Sequence, residues 1–421
     1  MLDLKFIREN IEAIRQNITN KNESAKIDII VDIDIRRRLI IQEADALKNQ
    51  RNTVTMEIAN LKKNKLDASE KIEAMKLVSD KIKQLDDELR EVEANLNEEV
   101  LRLPNMVHST VPVGKDADDN IVVKAWGTPN MIQTKNHIEI SKALGIIDFE
   151  RGAKVSGSGF GYYIGKGAAL ERGLITFMLE QHIYNNGYTE LIPPLLVNQN
   201  SMIGTGQLPK MAEDMYTCEK DGMYLIPTAE VPLTNFYNGE MLKVEDLPIK
   251  FCGYTPCFRR EAGSYGKETR GFLRVHQFNK VELVKFTKPE NSYDELESLL
   301  LNAEMILQAL NIPYRVLLLC SGDTSFSSAK TYDIEVWSPG EQKYLEASSC
   351  SNFEDFQARR ANIRFKRTPA DKPEFVHTLN GSGLATSRLI VSLLENYYTD
   401  EDGTISVPEA LRQYCRFEKI C

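Results

Sequence analysis

Glycine and proline are missing altogether between Ile27 and Leu103, which excludes a turn-rich or sandwich-like start to the chain. No apolar run approaches the ~18 residues that a bilayer-spanning helix needs, so no membrane partner is expected. The opening MLDLKFIREN lacks the basic head and apolar core of a secretory leader. The seven cysteines (Cys218, Cys252, Cys257, Cys320, Cys350, Cys415 and Cys421) form no CxxC pair, and the five histidines form no HExxH. Neither a disulfide framework nor zinc is therefore expected, and isolated thiols point to a reducing, cytoplasmic compartment. Net positive charge is lacking too. At −9 the chain is no uniformly cationic nucleic-acid coat, although local basic patches stay open. Nucleotide signatures fail as well: GSGFGYYIGKGA has the glycines but no GK[ST], and GxGxxG spacing is absent.

What is present falls into parts of different period, and 421 residues admit two or three domains. Ile33, Ile40, Leu47, Val54 and Leu61 recur every seven residues, joined by Ile30, Ala44 and Ile58. After a polar break at Asn64–Ser69, Met75, Ile82, Leu89 and Leu96 interleave with Val78, Leu85 and Val92. Two such stripes across a short break are best satisfied by packing on each other, which predicts an antiparallel helical hairpin about 50 Å long. Lys48 to Lys83 holds nine basic residues against five acids, whereas the later part, from Asp86 to Glu99, is strongly acidic. That basic tip suits a solvated or dimerising stalk as well as one that reaches a phosphate backbone.

Beyond Pro104 the pattern is mixed. GLITFMLEQHIYNNG (Gly173–Gly187) has a helical period closed by glycine. TELIPPLLV reads as extended, and TYDIEVWSPGEQKYLEASS as a hairpin about a Pro-Gly turn. Without regular βαβ alternation, an antiparallel sheet flanked by helices, hence an α+β class, is expected.

Chemistry concentrates in FRREAGSYGKETRGFLRVHQFNKVE (Phe258–Glu282), where Arg259, Arg260, Arg270, Arg274, Lys267 and Lys280 gather in an acidic protein. On a strand, Arg259 and Glu261 share a face, as do Arg274, His276, Phe278, Lys280 and Glu282. A phenylalanine among cations suits a purine platform better than a solvated hairpin face. PTAE would place Thr228 and Glu230 on one strand face, able to hold an ammonium. In YLEASSCSN, Glu346 and Ser349 are hard oxygen donors suited to Mg²⁺. NGSGLATSR reads as a glycine-rich turn entering a helix with Arg388 in its second turn, a place that attracts anions.

Together these segments resemble the class II seryl-tRNA synthetases of the bacterial and eukaryotic type, over essentially the whole chain. The resemblance is carried by the two-helix arm, VPVGKDADDN, GYTELIPPLLV, GTGQLPK, YLIPTAEVPLTN, FRREAGSYGKETRGFLRVHQFNKVE, KTYDIEVWSPG, LEASSCSN and NGSGLATSR. It implies a tRNA-binding helical arm over 1–104, with its long coiled coil at about 27–103, and a class II catalytic domain over 105–421. Motifs 1, 2 and 3 of the class would lie at about 171–197, 255–283 and 380–397. The implied activity is serine–tRNA ligation: ATP activates L-serine to the adenylate, and serine passes to tRNA(Ser), with tRNA(Sec) a further candidate.

Residue by residue, the resemblance implies that Arg259 holds the α-phosphate and that Arg388 clamps the γ-phosphate, as the catalytic pair. Glu261 would bond the adenine amino group, Phe278 would stack beneath adenine, and Arg274 would lie near the phosphates. Arg260, Val275, His276 and Gln277 would complete that wall of the ATP site. Glu346, Ala347, Ser348 and Ser349 would form the facing wall, with Glu346 and Ser349 on Mg²⁺. Thr228, Ala229, Glu230, Glu282 and Ser382 would surround serine. The loop Ser264–Gly271 would meet the tRNA acceptor end, and two copies would form a homodimer. Two rivals are a class II paralogue that loads another acceptor, against which the intact arm speaks, and an interaction protein with an inert synthetase-like domain. Intact Arg259, Glu261, Glu282, Glu346 and Arg388 speak against the second.

Overall fold

The computed structural model describes residues 1–262 and 270–421. It divides into two compact units, one of residues 2–19 and 23–104, the other of residues 1, 20–22 and 105–421.

In the first unit α1 (Leu4–Glu9) and α2 (Ile11–Asn20) precede α3 (Ile27–Lys63) and α4 (Ser69–Val100). With nothing to break them, α3 and α4 run for 37 and 32 residues, and α3 is roughly 55 Å long at 1.5 Å per residue. They pack antiparallel on the expected stripe: Ile30, Ile40, Ala44, Ile82, Leu85 and Leu96 are buried. The chain reverses over Asn64–Ala68, where Lys65 takes φ 55° and the Leu66 N–H donates to the Leu61 carbonyl at 2.9 Å. Arg36–Glu88 at 2.8 Å, Arg37–Glu93 at 3.0 Å and Lys48–Asp86 at 2.9 Å bridge the helices. These pairs are solvent-accessible and contribute little; the apolar seam holds the hairpin.

The second unit is built on an eight-stranded sheet. Its strands are β1 (Ile121–Trp126), β2 (Thr189–Glu190), β3 (Ile249–Phe258), β4 (Gln277–Thr287), β5 (Tyr314–Leu318), β6 (Lys330–Ser338), β7 (Lys343–Asn352) and β8 (His377–Ala385). Their order is β1-β5-β6-β7-β8-β4-β3-β2, antiparallel throughout except for β2, which runs parallel to β3. Helices α5 (Lys166–Glu180), α6 (Ser292–Ala309) and α7 (Thr386–Tyr397) supply Leu174, Leu299 and Leu389 to one apolar cluster with Val281, Leu283, Ile334 and Val336 of the strands. Because strand side chains alternate, Lys280 and Glu282 are directed away from that core, while the half-buried Phe278 packs against its margin. The expected hairpin is β6–β7 around Pro339–Gln342.

Four local readings are corrected. The strand pattern drawn through Arg259–Glu282 holds only from Gln277: β3 stops at Phe258, and Glu261 adopts φ 52°, which no strand accommodates. The last ladder bond joins the Arg259 N–H to the His276 carbonyl at 2.9 Å, while the His276 N–H turns to the Gly159 carbonyl at 3.1 Å. A Cβ on Gly159 (φ 79°) would meet the His276 ring at 2.6 Å, so the GSGFGYY segment needs its glycine there. PTAE is not a strand but a bend entering the one-turn helix Glu230–Thr234, with Thr228 Oγ1 accepting the Glu230 N–H at 3.1 Å. Asn380–Ala385 is strand, not turn, and Arg388 stands in the first turn of α7. The helix expected over Gly173–Gly187 begins at Lys166 and ends in a widened turn, Gln181–Asn185.

Candidate active site

A cavity of about 690 Å³ opens on the strand face turned away from the core. Its floor comes from β4, β7 and β8 and its rim from the segment before Glu230, the ends of the β3–β4 connection and the first turn of α7. One end is built to hold something small and charged. Glu282 lies opposite Ser382 in the β4–β8 register. The Thr228 hydroxyl donates to Glu282 at 3.1 Å and accepts from Lys280 Nζ at 2.9 Å, and Lys280 also pairs with Glu282. Glu230 is buried beside them; burial and then the Glu282 carboxylate push it up to about 7, against Gln357, Lys280 and Arg259, which favour its ionised form.

The other end mixes aromatic and cationic groups. The Arg259 guanidinium sits 5.2 Å from the Phe278 ring centroid and donates to the Pro227 carbonyl at 3.3 Å. Arg274 pairs with Glu261. Arg388 donates to the Leu273 carbonyl at 3.2 Å and to Glu346. Its root is fixed because Thr386 donates to Glu171 at 2.6 Å and the Asn279 amide donates to the same oxygen at 2.8 Å, tying α7 to α5 and β4. Burial raises the Glu171 carboxyl.

On β7 one extra residue bulges the ladder between Ile334 and Glu335 of β6, so Glu346, Ala347, Ser348 and Ser349 all reach the cavity. Beneath them Asp333 is raised well above the usual carboxylate range, first by burial and then by Glu346, with the Ser349 hydroxyl opposing. Its buried Oδ1 has no hydrogen-bond partner among the described residues. Glu346 and Ser349, both on the cavity wall, are hard oxygen donors that fit a divalent cation.

Of the residues singled out from the sequence, Thr228, Glu230, Glu282 and Ser382 meet at one end. Arg259, Glu261, Arg274, Val275, Phe278, Arg388 and the Glu346–Ser349 run meet at the other. Four do not reach the cavity wall. Ala229 is fully buried in a neighbouring apolar cluster with Leu233 and Phe251. Arg260 is exposed, and its N–H donates to the Asp214 carbonyl at 2.9 Å. His276 turns its ring toward the Arg259 carbonyl at 3.1 Å and lies 5.5 Å from Phe160. Gln277 borders a separate cavity of about 130 Å³ between Phe160, Tyr163, Phe272 and Phe278. The Ser264–Gly271 loop lies, but for its last two residues, outside the described residues. Sequence reasoning missed Asp214, Asp333 and Gln357. It placed Lys280 on the correct face without assigning it a site.

This arrangement, an antiparallel sheet carrying an arginine–phenylalanine–arginine cleft beside an acidic pocket, is that of a class II aminoacyl-tRNA synthetase. Residues 216–397 match the family model described as tRNA synthetase class II core domain (G, H, P, S and T), and residues 1–107 match that of the seryl-tRNA synthetase N-terminal domain. The chain is 58% identical to the serine–tRNA ligase of Chloroherpeton thalassium, covering 100% of both. Against that of Chlorobium phaeobacteroides it is 56% identical, covering 100% of this chain and 99% of the other. The crystal structure of seryl-tRNA synthetase from Pyrococcus horikoshii complexed with ATP superposes with a TM-score of 0.95 at 39% identity, over 100% of this chain and 99% of that one. The chain therefore belongs to the seryl-tRNA synthetase family and is a serine–tRNA ligase, an aminoacyl-tRNA-forming enzyme. The fold alone is shared with prolyl-tRNA synthetase of Giardia lamblia, at TM-score 0.57 and 16% identity over 67% of this chain and 57% of that one.

Proposed function

We propose that the cavity binds a bent ATP against L-serine and joins them at the α-phosphorus. The observation that carries this is the meeting, in one cavity, of Phe278, Arg259 and Arg388 with Thr228, Glu230 and Glu282. Phe278 stacks beneath adenine and Arg388 covers it while reaching the γ-phosphate. Glu261 accepts from the adenine amino group, and Arg259 and Arg274 lie along the phosphates. Thr228, Glu230, Glu282 and Ser382 surround serine. Its ionised carboxylate attacks the α-phosphorus and pyrophosphate leaves, so no general base is required. Catalysis then rests on positioning and on stabilising charge as it builds on the phosphoryl oxygens. Glu346 and Ser349 are the residues that would hold Mg²⁺, which when bound neutralises phosphate charge.

The terminal ribose hydroxyl of tRNA then attacks the carbonyl carbon of the adenylate, forming the seryl ester as the anhydride bond breaks and AMP leaves. Recognition of tRNA(Ser) by the α3–α4 arm is supported by its basic outer part, and charging of tRNA(Sec) is a separate question for the same assay. A homodimer is supported by exposed Tyr184, Ile192 and Leu196 around motif 1. Seven free thiols support a reducing, cytoplasmic setting. No helix among the described residues is long and apolar enough to cross a membrane. The test is ATP–pyrophosphate exchange across the twenty amino acids, then aminoacylation of tRNA(Ser) and tRNA(Sec) transcripts. Exchange driven by another amino acid, and not by serine, overturns the reading.

A further inference from the structure

Glu230 presents a problem that its own neighbours do not solve. Opposite a substrate ammonium it must be ionised, yet it is enclosed in protein and faces a second carboxylate, Glu282. The charged groups around it are Glu282 and Lys280 of β4 and Arg259 beyond β3. Lys280 is already committed to Glu282 and Thr228, and Arg259 to the Pro227 carbonyl. The remaining elements packed against Glu230 bring neutral groups: Thr228 before it, the Thr205 carbonyl, Thr378 of β8 and Gln357 of the short helix Phe356–Ala361.

We propose that Gln357 is a positioning residue of the serine pocket, holding the Glu230 carboxylate in place and in its ionised form, and that Thr378 locks Gln357 in the orientation this requires. The Gln357 amide donates to Glu230 Oε1 at 2.6 Å and to the Thr205 carbonyl at 3.1 Å, while its own oxygen accepts from Thr378 Oγ1 at 2.7 Å. Flipping the amide would set its oxygen against a carboxylate and a carbonyl, two acceptors, and would set its N–H₂ on a hydroxyl. Only one orientation satisfies all three partners. Gln357 and Thr378 are both buried, so neither solvent nor a rotamer change substitutes for the other. A donor aimed at a carboxylate favours its charged state, offsetting the burial that raises Glu230. Gln357 touches neither the reacting atoms nor, directly, the substrate. It acts through Glu230.

This inference rests on the reading of Glu230 as the serine ammonium partner, and the test separates the two. KM for serine and for ATP is measured by pyrophosphate exchange from about pH 6 to about pH 8.5 for wild type, Gln357→Met, Thr378→Val and Glu230→Gln, each checked for native fold. Gln357→Met keeps the shape but loses the donor. It is expected to raise the serine KM about tenfold near pH 7, in line with loss of a charge-assisted hydrogen bond, and to leave the ATP KM within about twofold. The acid limb of kcat/KM for serine should move to higher pH, so the deficit shrinks on the alkaline side. Thr378→Val should shift the same limb the same way, by less; if Gln357→Met does not fold, this variant decides. A loss equal at every pH, or no change in the serine KM, overturns the role of Gln357. Glu230→Gln should lose serine affinity at every pH. If it does not, the pocket reading fails; if it does while the other variants behave as wild type, only the present inference fails.

Discussion

Arg388 is joined to Glu346 twice: its guanidinium donates to the Glu346 backbone carbonyl at 2.9 Å and to the carboxylate at 3.1 Å. Cation and anion neutralise each other across the cavity, at the place proposed for the terminal phosphates and their metal. Both side chains remain partly solvent-exposed, so the pair adds little to stability. Arg388→Ala is expected to lower kcat/KM for ATP by at least about 10²-fold while the thermal midpoint stays near wild type. Glu346→Ala should raise the Mg²⁺ concentration needed for half-maximal exchange. An unchanged Mg²⁺ midpoint removes Glu346 from the metal site.

Arg259 has a different neighbourhood, over the Phe278 ring. Arg259→Ala is expected to cost serine-dependent pyrophosphate exchange at least about 10²-fold, with the circular dichroism spectrum unchanged. Retained exchange would refute its role on the α-phosphate.

His182, in the widened turn after α5, is buried and donates from Nε2 to the Gly383 carbonyl at 2.7 Å, while Asn186 donates to Nδ1 at 3.2 Å. Both ring nitrogens are thus committed to the neutral form, and burial lowers the pKa from its usual 6.5 to about 4. The unfolded chain takes up this proton near 6.5 and the folded chain only near 4. The stabilisation is therefore complete above about pH 6.5 and is lost progressively as pH falls toward 4, to a total of roughly 3 kcal/mol. Thermal midpoints of wild type should fall over this window more steeply than those of His182→Gln; parallel curves would exclude the effect. Gly383→Ala should destabilise at every pH, since a Cβ there meets His182 Nε2 at 2.5 Å.

The basic part of the α3–α4 arm includes Lys62, Lys63 and Lys65, all exposed. Reversing the three to glutamate is expected to weaken tRNA(Ser) binding and flatten its salt dependence by up to ~0.9 in log–log slope for each phosphate no longer neutralised. Serine-dependent pyrophosphate exchange should be untouched. Equal tRNA affinity and equal salt slope would return the arm to a solvated stalk.

The arm was legible because a seven-residue period with no glycine or proline admits one solution, and its seam residues are buried or half-buried where that period puts them. The face of β4 was legible for the same reason at period two. Legibility ended where the backbone leaves regular structure: nothing in FRREAG announces that Glu261 takes a left-handed φ, and Thr228 and Glu230 looked like a strand pair because two-residue spacing fits a bend as well. Gln357 was invisible. A neutral amide on a six-residue helix carries no pattern, and its hydrogen bond to Glu230 spans 127 positions. Asp333 was hidden likewise, its importance arising from burial rather than spacing.

Along the helical hairpin the packed cluster of Ile40, Ala44 and Leu85, with Leu47, Leu89 and Val92, stops well short of the reversal. Val54, Ile58, Leu61, Met75 and Val78 are only half covered. Apart from Ile82 and Ala68, less apolar area is secured in the turns near the reversal, and local opening there is correspondingly cheaper. Mechanically the hairpin is stiff where that cluster lies and compliant toward its turn. Amide protons should exchange faster toward Asn64, where the turn end of the hairpin can conform to an irregular surface while the packed stretch keeps its register.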